Sequence, residues 1–416
     1  MAAVEGAGVG GPFDVFVCFA GPSGLAAAQA LQGALAQAKI SAFVDARDVP
    51  PVHSWRGVVR AALRDAAVTV VCLTPELALS VNAQAEVRDV IDGVGTPEGR
   101  RLIVPWVVPG APQMTPWPPG LRAFQRIDGA AAAVVAAVVA WMGPRRPDPL
   151  WASAAGVDHF GRWAELDVAG AVQRLRWIKH GRFLMGSPEH EAGRDPAEGP
   201  AHEVTLTQGL WMADTPVTQA LYRAVTGESP SRFSAGAAAD RPVEQLSWDE
   251  AVAFTDRLAA LLPPAAGDDG LAFQLPTEAQ WEYACRAGAT GPTSAALGQQ
   301  RRDIAWFAKN SKGGTKPVGQ LQPNAWGLYE MLGGVWEWCA DARESVDSPY
   351  PGGPRVDPLG DTGLVRAVRG GAWRSAAHRV RAASRSAQAP TVRESFLGLR
   401  LSRGAPHRWP GGAAGG

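Results

Sequence analysis

LPTEAQWEYACRAG, from Leu275 to Gly288, is the most informative stretch of the sequence. Thr277 directly precedes a helical run, and Gln280 stands three residues after Thr277, which is the pattern of a capping box. Ser247 and Glu250 repeat the pattern ahead of a second helix. The segments around both helices are rich in Gly, Pro and Trp rather than in long periodic runs. This predicts an α+β domain with much irregular backbone, stabilised by aromatic packing.

The residues before about 145 show a different pattern, in which short apolar runs alternate with helical stretches. We predict strands over Phe13–Phe19, Ile40–Val44, Val68–Leu73 and Leu102–Val108. The predicted helices are Leu25–Ala38, Trp55–Asp65, Val81–Val94 and Ala130–Met142. Such alternation is typical of βαβ units in a parallel sheet. Ligands of these sheets bind beyond the carboxyl ends of the strands.

Composition excludes several classes of protein. The chain has 416 residues, with Lys+Arg 40 and Asp+Glu 40, so the formal net charge is zero. A neutral chain argues against binding to nucleic acid or to a membrane driven by overall charge. The four cysteines form no CxxC pair, and no run of about 20 apolar residues is present. Residues 1–12 have neither the basic nor the apolar region of a signal peptide, so we expect no secretory signal. We therefore expect a cytoplasmic protein with reduced thiols and no metal centre.

These patterns predict four segments. The α/β domain spans residues 11–143, a Pro-rich linker spans 144–160, the α+β domain spans 161–404, and a disordered Gly-rich tail spans 405–416.

The first domain resembles a TIR domain, of the Toll/interleukin-1 receptor type. DVFVCF (Asp14–Phe19) is similar to the first TIR box, Asp48–Trp55 to the BB loop, and Val70–Pro75 to the third strand. The resemblance implies a flavodoxin-like parallel sheet. It also implies self-association, because TIR domains generally act when assembled.

In TIR enzymes that cleave NAD, a glutamate six residues after a serine carries the chemistry, and Ser80 and Glu86 keep that spacing. The resemblance implies that Glu86 is catalytic, since a carboxylate stabilises the oxocarbenium-like cation formed when the nicotinamide–ribose bond breaks. Glu86 lies on the flank of its predicted helix, from which it can point into a cleft at the sheet edge. One departure favours the alternative of a solvated helix residue in a non-enzymatic adaptor: Asn82 stands where the family often has Trp.

The resemblance also implies a nucleotide pocket for NAD as substrate. Its expected lining consists of Ala20 and Gly21 after the first strand, Asp45 after the second, and Trp55 in the BB loop.

The second domain resembles the formylglycine-generating enzyme (sulfatase-modifying factor) family, which has a variant C-type lectin fold. The motifs that carry the resemblance are FLMGS (Phe183–Ser187), PVEQLSWDEA (Pro242–Ala251), Leu275–Gly288, GGVWEW (Gly333–Trp338) and RGGAW (Arg369–Trp373). The chain is thus expected to be multidomain, with a flavodoxin-like sheet followed by a C-type-lectin-like α+β fold.

The catalytic cysteines of that family are absent. The family's copper-binding cysteines stand seventh and twelfth in the motif that begins here at Arg369, where this chain has Ser375 and Val380. A hydroxyl and an isopropyl group cannot replace thiolates as ligands of a soft metal. Gly334 stands where the family's GNVWEW motif has Asn, which argues against its calcium site. We expect no copper, no oxidase activity and no metal.

The same fold without cysteines serves as a binding scaffold, including in variable proteins of diversity-generating retroelements. The tract from Arg374 to Phe396 is the corresponding exposed surface. Its basic residues suit an acidic or phosphate-bearing partner. The candidate ligand-binding residues are Arg374, Ser375, His378, Arg379 and Arg393.

Other arginines have a structural interpretation. We expect Arg286, Arg369 and Arg400 to pair with buried carboxylates such as Glu278, Glu282 or Glu337. Arg381 and Arg385 are expected to brace the domain in the same way. Trp281, Trp336, Trp338 and Trp373 are predicted to fill the core rather than to bind a ligand.

The sequence therefore favours a sensor–effector in which the lectin-like domain binds a ligand and the TIR domain hydrolyses or cyclises NAD, in defence signalling such as antiviral immunity. The alternative is a non-enzymatic TIR adaptor that binds a ligand, in the manner of a variable protein. No nucleic acid or membrane partner is expected.

Overall fold

The computed structural model describes residues 14–44, 66, 68–74, 76–77, 102–109, 126–142, 148–158, 160–235, 238–263, 270–293 and 300–407. The chain divides into two units. One comprises residues 1–148 and 156–163, and the other comprises residues 149–155 and 164–416.

The first unit contains a five-stranded sheet in the order β2-β1-β3-β4-β5, and all four pairings are parallel. The strands are β1 (Val15–Cys18), β2 (Ala42–Val44), β3 (Val68–Leu73), β4 (Leu102–Val107) and β5 (Ile127–Asp128). The helices are α1 (Gly21–Gln37) and α2 (Ala131–Met142). This strand order is that of flavodoxin-like folds, so the predicted fold class is confirmed. The predicted helices Trp55–Asp65 and Val81–Val94 lie outside the described residues.

The core of this sheet is apolar. Every residue of β1 and β3 is buried. On one face, Val17 and Val70 belong to a cluster that includes Leu31 and Leu35 of α1. Phe16 and Phe43 stack at 5.7 Å between ring centroids. Burial on both faces explains why these strands are continuous apolar runs rather than alternating ones.

The rest of the described chain contains fifteen strands in four sheets, whose orders are β12-β20-β11-β8-β7-β6, β18-β17-β15-β19, β16-β10-β9 and β13-β14. The strands are β6 (Ala154–Asp158), β7 (Gly161–Val168), β8 (Ala171–Ile178), β9 (Gly181–Met185), β10 (His202–Leu206), β11 (Leu210–Ala213), β12 (Ala272–Gln274), β13 (Ala305–Trp306), β14 (Leu332–Gly333), β15 (Trp336–Arg343), β16 (Arg355–Val356), β17 (Val365–Arg369), β18 (Arg385–Gln388), β19 (Leu397–Gly398) and β20 (Ser402–Gly404). The helices are α3 (Gln219–Thr226), α4 (Trp248–Leu261), α5 (Glu278–Arg286) and α6 (Arg301–Ile304).

Both predicted capping boxes are present. Ser247 Oγ accepts a hydrogen bond from the backbone N–H of Glu250 at 3.2 Å, and the Glu250 carboxylate accepts one from the Ser247 N–H at 2.8 Å. Thr277 and Gln280 make the same pair of bonds at 3.1 and 2.9 Å. Each box satisfies two N–H groups at the start of its helix that have no partner within the helix.

Aromatic side chains fill two cores in this part of the molecule, as the sequence predicts. Trp336 and Trp338 lie in one core with Phe254, and Trp281 lies in the other. Trp373 differs from the expectation because it is only half-buried.

Two predicted segment limits differ from the structure. The expected linker 144–160 contains β6, and Trp151 is buried in edge-to-face contact with Trp211 and Phe273. In the expected tail, the backbone N–H of His407 donates to the side chain of Gln274 at 3.2 Å. Composition alone assigns Trp151 to a linker and His407 to a disordered tail. The packing of Trp151 and the hydrogen bond of His407 give these residues defined positions. The other limits stay predictions.

Within the part of the chain that the structure describes, no helix is both long and apolar enough to span a bilayer.

Candidate functional sites

The first candidate site lies at the carboxyl end of β1, where α1 begins. Ala20 is extended and buried, and its carbonyl accepts a hydrogen bond from Thr74 Oγ1 at 3.4 Å. Gly21 has φ +68°, and a Cβ there would lie 2.6 Å from Cγ of Glu76. Only glycine fits this close approach without strain.

Glu76 is a residue of this edge that the sequence analysis did not select. Its Oε1 accepts a hydrogen bond from Ser23 Oγ at 2.6 Å, and that bond lowers the pKa of the Glu76 carboxyl. The signal in the sequence was its place three residues after β3, at the carboxyl edge of a parallel sheet. The structure brings Ala20 and Gly21 together with Glu76. The other predicted residues, Glu86, Asp45 and Trp55, lie outside the described residues, so the NAD pocket stays a prediction.

The second candidate site is the position of the missing copper ligands. Ser375 Oγ accepts a hydrogen bond from the Ala372 N–H at 2.9 Å, and the Val380 side chain is wholly buried. Cys285 and Cys339 are both buried, and burial raises the pKa of the Cys285 thiol to about 12. Protonated, buried thiols are inert as nucleophiles and as metal ligands.

The turn that corresponds to the family's calcium motif contains Gly334, at φ +69°. Its N–H donates to the carbonyl of Trp306 and its carbonyl accepts from the N–H of Trp373, both at 2.8 Å. Gly334 therefore connects two backbone segments but has no side-chain oxygen to offer a cation. Among the described residues, no group of three or more His, Cys, Asp or Glu is placed to hold a metal ion.

The third candidate site is the predicted ligand-binding tract. Arg374 is exposed and lies over the Phe396 ring, 4.7 Å from its centroid. His378 is exposed as well. Two predicted arginines have carboxylate neighbours: Arg379 lies 3.3 Å from Asp195, and Arg393 lies 2.7 Å from Glu250. Part of the positive charge expected for a ligand is thus compensated within the chain.

The middle of the same tract is structural, as predicted for Arg381 and Arg385. Arg381 is 1 % exposed, pairs with Glu198 and Glu191, and donates to the carbonyl of Gly193 at 2.8 Å. Arg385 makes a two-point contact with the carboxylate of Glu278, at 2.7 and 2.5 Å. The bonds of Arg381 attach the tract to the segment 191–198, and those of Arg385 attach it to α5.

The predicted arginine–carboxylate pairs are confirmed. Arg369 bridges Glu278 and Glu282, and Arg286 also pairs with Glu282. Arg400 makes a two-point contact with Glu337, whose carboxylate also accepts a hydrogen bond from Trp281 Nε1 at 2.6 Å. Although burial opposes ionisation, the neighbouring Arg385 and Arg369 lower the pKa of the Glu278 carboxyl to about 2.

Comparison with known proteins agrees with this geometry. The model of the sulfatase-modifying factor enzyme 1-like domain matches residues 165–405, which is more than half of the chain. The chain belongs to this family. A TIR domain model matches residues 15–136, so the sulfatase-modifying factor-like domain follows a TIR domain.

Two curated relatives illustrate the range of the family. The formylglycine-generating enzyme of Streptomyces coelicolor is 34 % identical over 183 residues, which are 40 % of this chain and 54 % of that enzyme. The chain thus spans about half the length of that relative. The inactive C-alpha-formylglycine-generating enzyme 2 of Bos taurus is 28 % identical over 298 residues, 59 % of this chain and 92 % of that protein. The family therefore includes a member named as inactive.

Among solved structures, variable protein 1 of Treponema denticola has the same fold as the sulfatase-modifying factor-like domain. It superposes with a TM-score of 0.51 at 27 % identity, and covers 58 % of this chain and 98 % of its own.

Proposed function

We propose that the chain is a sensor–effector: the sulfatase-modifying factor-like domain binds a ligand, and the TIR domain cleaves NAD when binding brings copies together. The observation that carries the proposal is the replacement of both copper-ligand positions by Ser375 and Val380 in an otherwise intact fold. A domain that keeps its buried arginine network but lacks the redox thiols can still bind a ligand at its surface.

The pairing of domains supports the effector half of the proposal. A TIR domain fused to a binding domain gains local concentration when several ligand sites are occupied together. Glu86 is the proposed catalytic carboxylate, and Ala20, Gly21, Asp45 and Trp55 the proposed nucleotide pocket. The role that fits this arrangement is defence signalling within the cell.

The test uses the full chain with a chemically induced dimerisation tag, and measures release of nicotinamide from NAD. We expect release only after dimerisation, and at least a hundredfold less from Glu86→Gln. Glu203→Gln, an exposed carboxylate on β10, is the matched control and should release as much as wild type. If dimerised wild type releases nothing, or Glu86→Gln equals the control, Glu86 is not catalytic.

A second function is favoured by the likeness to the Treponema variable protein: a ligand-binding TIR adaptor without enzymatic activity. In this case residues 374–396 would vary between copies of the gene while Arg381 and Arg385 stay fixed, because those two brace the fold. Sequencing the gene from separate isolates tests this. Substitutions spread evenly over the domain would argue against a variable protein.

A further inference from the structure

A group of five basic residues includes the first residue of the predicted ligand-binding tract and four residues from outside it. We call it the basic patch: Arg232, Arg241, Lys312, Lys316 and Arg374. Arg232, Lys312 and Arg374 are exposed, and Arg241 and Lys316 are half-buried. Among the described residues, none of the five has a carboxylate oxygen within salt-bridge distance, in contrast to Arg379 and Arg393 in the neighbouring tract.

Three of these cations converge. Burial, together with the charges of Arg241 and Lys312, lowers the pKa of the Lys316 ammonium. Arg241 donates through Nη1 to the carbonyl of Thr315, while its Nε is buried with no hydrogen-bond partner among the described residues. Arg232 interacts electrostatically with Glu244, but the Glu244 carboxylate is buried, accepts a hydrogen bond from the Phe233 N–H, and has a pKa raised by burial.

Aromatic packing fixes the patch in place. The Phe233 ring lies edge-on to Trp373 at 5.4 Å, and a Cβ on Gly314 would lie 2.9 Å from Phe233. Arg232 lies over the same ring, 5.6 Å from its centroid. The backbone N–H of Ala308 donates to the carbonyl of Ser375 at 3.1 Å. This bond connects the segment that leads to Lys312 and Lys316 with the residue that follows Arg374.

We propose that the basic patch binds a ligand that carries several linked phosphate groups, such as a nucleoside triphosphate. Like charges held close together are unfavourable unless an anion compensates them. The convergence of Arg241, Lys312 and Lys316 favours a compact polyanion over an acidic peptide, whose carboxylates are spread along a chain. An arginine fork and lysine point charges are the side chains that bind phosphate oxygens. The proposal deepens the proposed function by naming the ligand class, but binding to the patch does not depend on TIR activity.

The experiment is calorimetric titration of the full chain with inorganic triphosphate, with ATP and with AMP. We expect saturable binding of triphosphate and ATP, and at least tenfold weaker binding of AMP. Binding should weaken further as salt is raised, because the contacts are ionic. Equal affinity for triphosphate and ATP would assign recognition to the phosphates, and tighter binding of ATP would add a contact with the base; either result supports the proposal.

Two variants locate the site. Lys316→Gln and Lys312→Gln should each weaken triphosphate binding about fivefold, whereas Arg355→Gln, which removes an exposed charge from β16, should change it less than twofold. Absence of saturable triphosphate and ATP binding overturns the proposal, as does tighter binding of a poly-glutamate peptide, or an unchanged affinity in both lysine variants. Nicotinamide release by the dimerised chain is measured without this ligand, so a failure here leaves the proposed function standing.

Discussion

The two domains solve the problem of burying a backbone in different ways. In the TIR domain, the buried polar side chains among the described residues are small hydroxyls, namely Ser41, Thr69 and Thr74. In the sulfatase-modifying factor-like domain, several arginines are almost wholly buried, with Arg369 and Arg400 at 0 % exposure. Most of the described residues of the first domain lie in regular strands and helices, whereas most of those of the second lie in coil.

The hydrogen bonds of these arginines explain the difference. Arg369 donates to the carbonyl of Ala382, Arg385 to that of Ala197, and Arg400 to those of Ala213 and Tyr329, in addition to their carboxylates. A parallel sheet satisfies its own backbone, whereas buried coil leaves carbonyls that require a side-chain donor. An arginine whose charge is balanced by a buried glutamate supplies up to five such donors. Apolar packing thus holds the described part of the first domain, whereas the second domain adds buried ionic pairs to its two apolar cores.

The variant expected to have the largest effect is Arg369→Ala, which tests whether buried ion pairs hold the second domain together. Removing the guanidinium leaves Glu278 and Glu282 buried with one cation fewer each, which we expect to cost about 3–5 kcal/mol in the free energy of unfolding. Denaturant unfolding followed by tryptophan fluorescence should show the loss in the transition of the second domain alone. Arg393→Ala is the control, because the Arg393 side chain is exposed and its pair with the half-buried Glu250 is worth under about 1 kcal/mol. A loss no larger than that of the control would show that Arg369 does not hold the coil together.

Part of this arrangement follows from the sequence. The capping boxes are local, because each is decided by residues three positions apart, and the arginine–glutamate pairs follow from charged residues set within apolar motifs. The partners of Arg381 do not follow, since Glu191 and Glu198 lie 190 and 183 residues away along the chain. The pairing of Arg379 with Asp195 was missed for the same reason.

The candidate site was harder to predict than the fold. The tract from Arg374 to Phe396 is contiguous, so the sequence finds it directly, but the basic patch unites residues from three separate segments. Arg241 reaches the residue before Lys316 through its hydrogen bond to the Thr315 carbonyl, and Phe233 packs between Gly314 and Trp373. Tertiary contacts of this kind leave no periodic signal in the sequence.

A second test measures how the stability of the second domain depends on pH through a buried carboxyl group. Burial raises the pKa of the Glu330 carboxyl to about 7 from 4.5. Between pH 4.5 and 7 the folded state thus binds a proton that the unfolded state releases, so the contribution of Glu330 to stability is greatest below pH 4.5 and is lost as the pH rises through 7. Glu330→Gln cannot ionise, and its stability relative to wild type should rise by about 2–3 kcal/mol between pH 5 and pH 8.

Thermal unfolding across this pH range measures the effect of Glu330→Gln. The difference between variant and wild type reports on Glu330 and on its interaction with Asp214, because Asp214 and Asp341, whose pKa values are raised to about 6 and 7, are present in both proteins. Glu278, whose pKa is lowered to about 2, acts in the opposite direction, and its contribution is lost only as the pH falls below 4.5. A difference that stays constant from pH 5 to pH 8 would show that Glu330 is ionised throughout in the folded chain.

The smallest expected effect compares helix starts in the two domains. Ala20 precedes α1 without a side-chain cap, whereas Thr277 caps α5 through a complete box. Thr277→Ala removes the acceptor for the Gln280 N–H, which we expect to cost about 1 kcal/mol in the free energy of unfolding of the second domain. Thr391→Ala, at an exposed threonine, is the matched control and should change stability by less than about 0.5 kcal/mol. Denaturant unfolding of both variants decides the point. Because α5 presents Glu278 and Glu282 to Arg369, a loss well above 1 kcal/mol would mean that the cap also positions these carboxylates, so that the box belongs to the ionic network rather than to the helix alone.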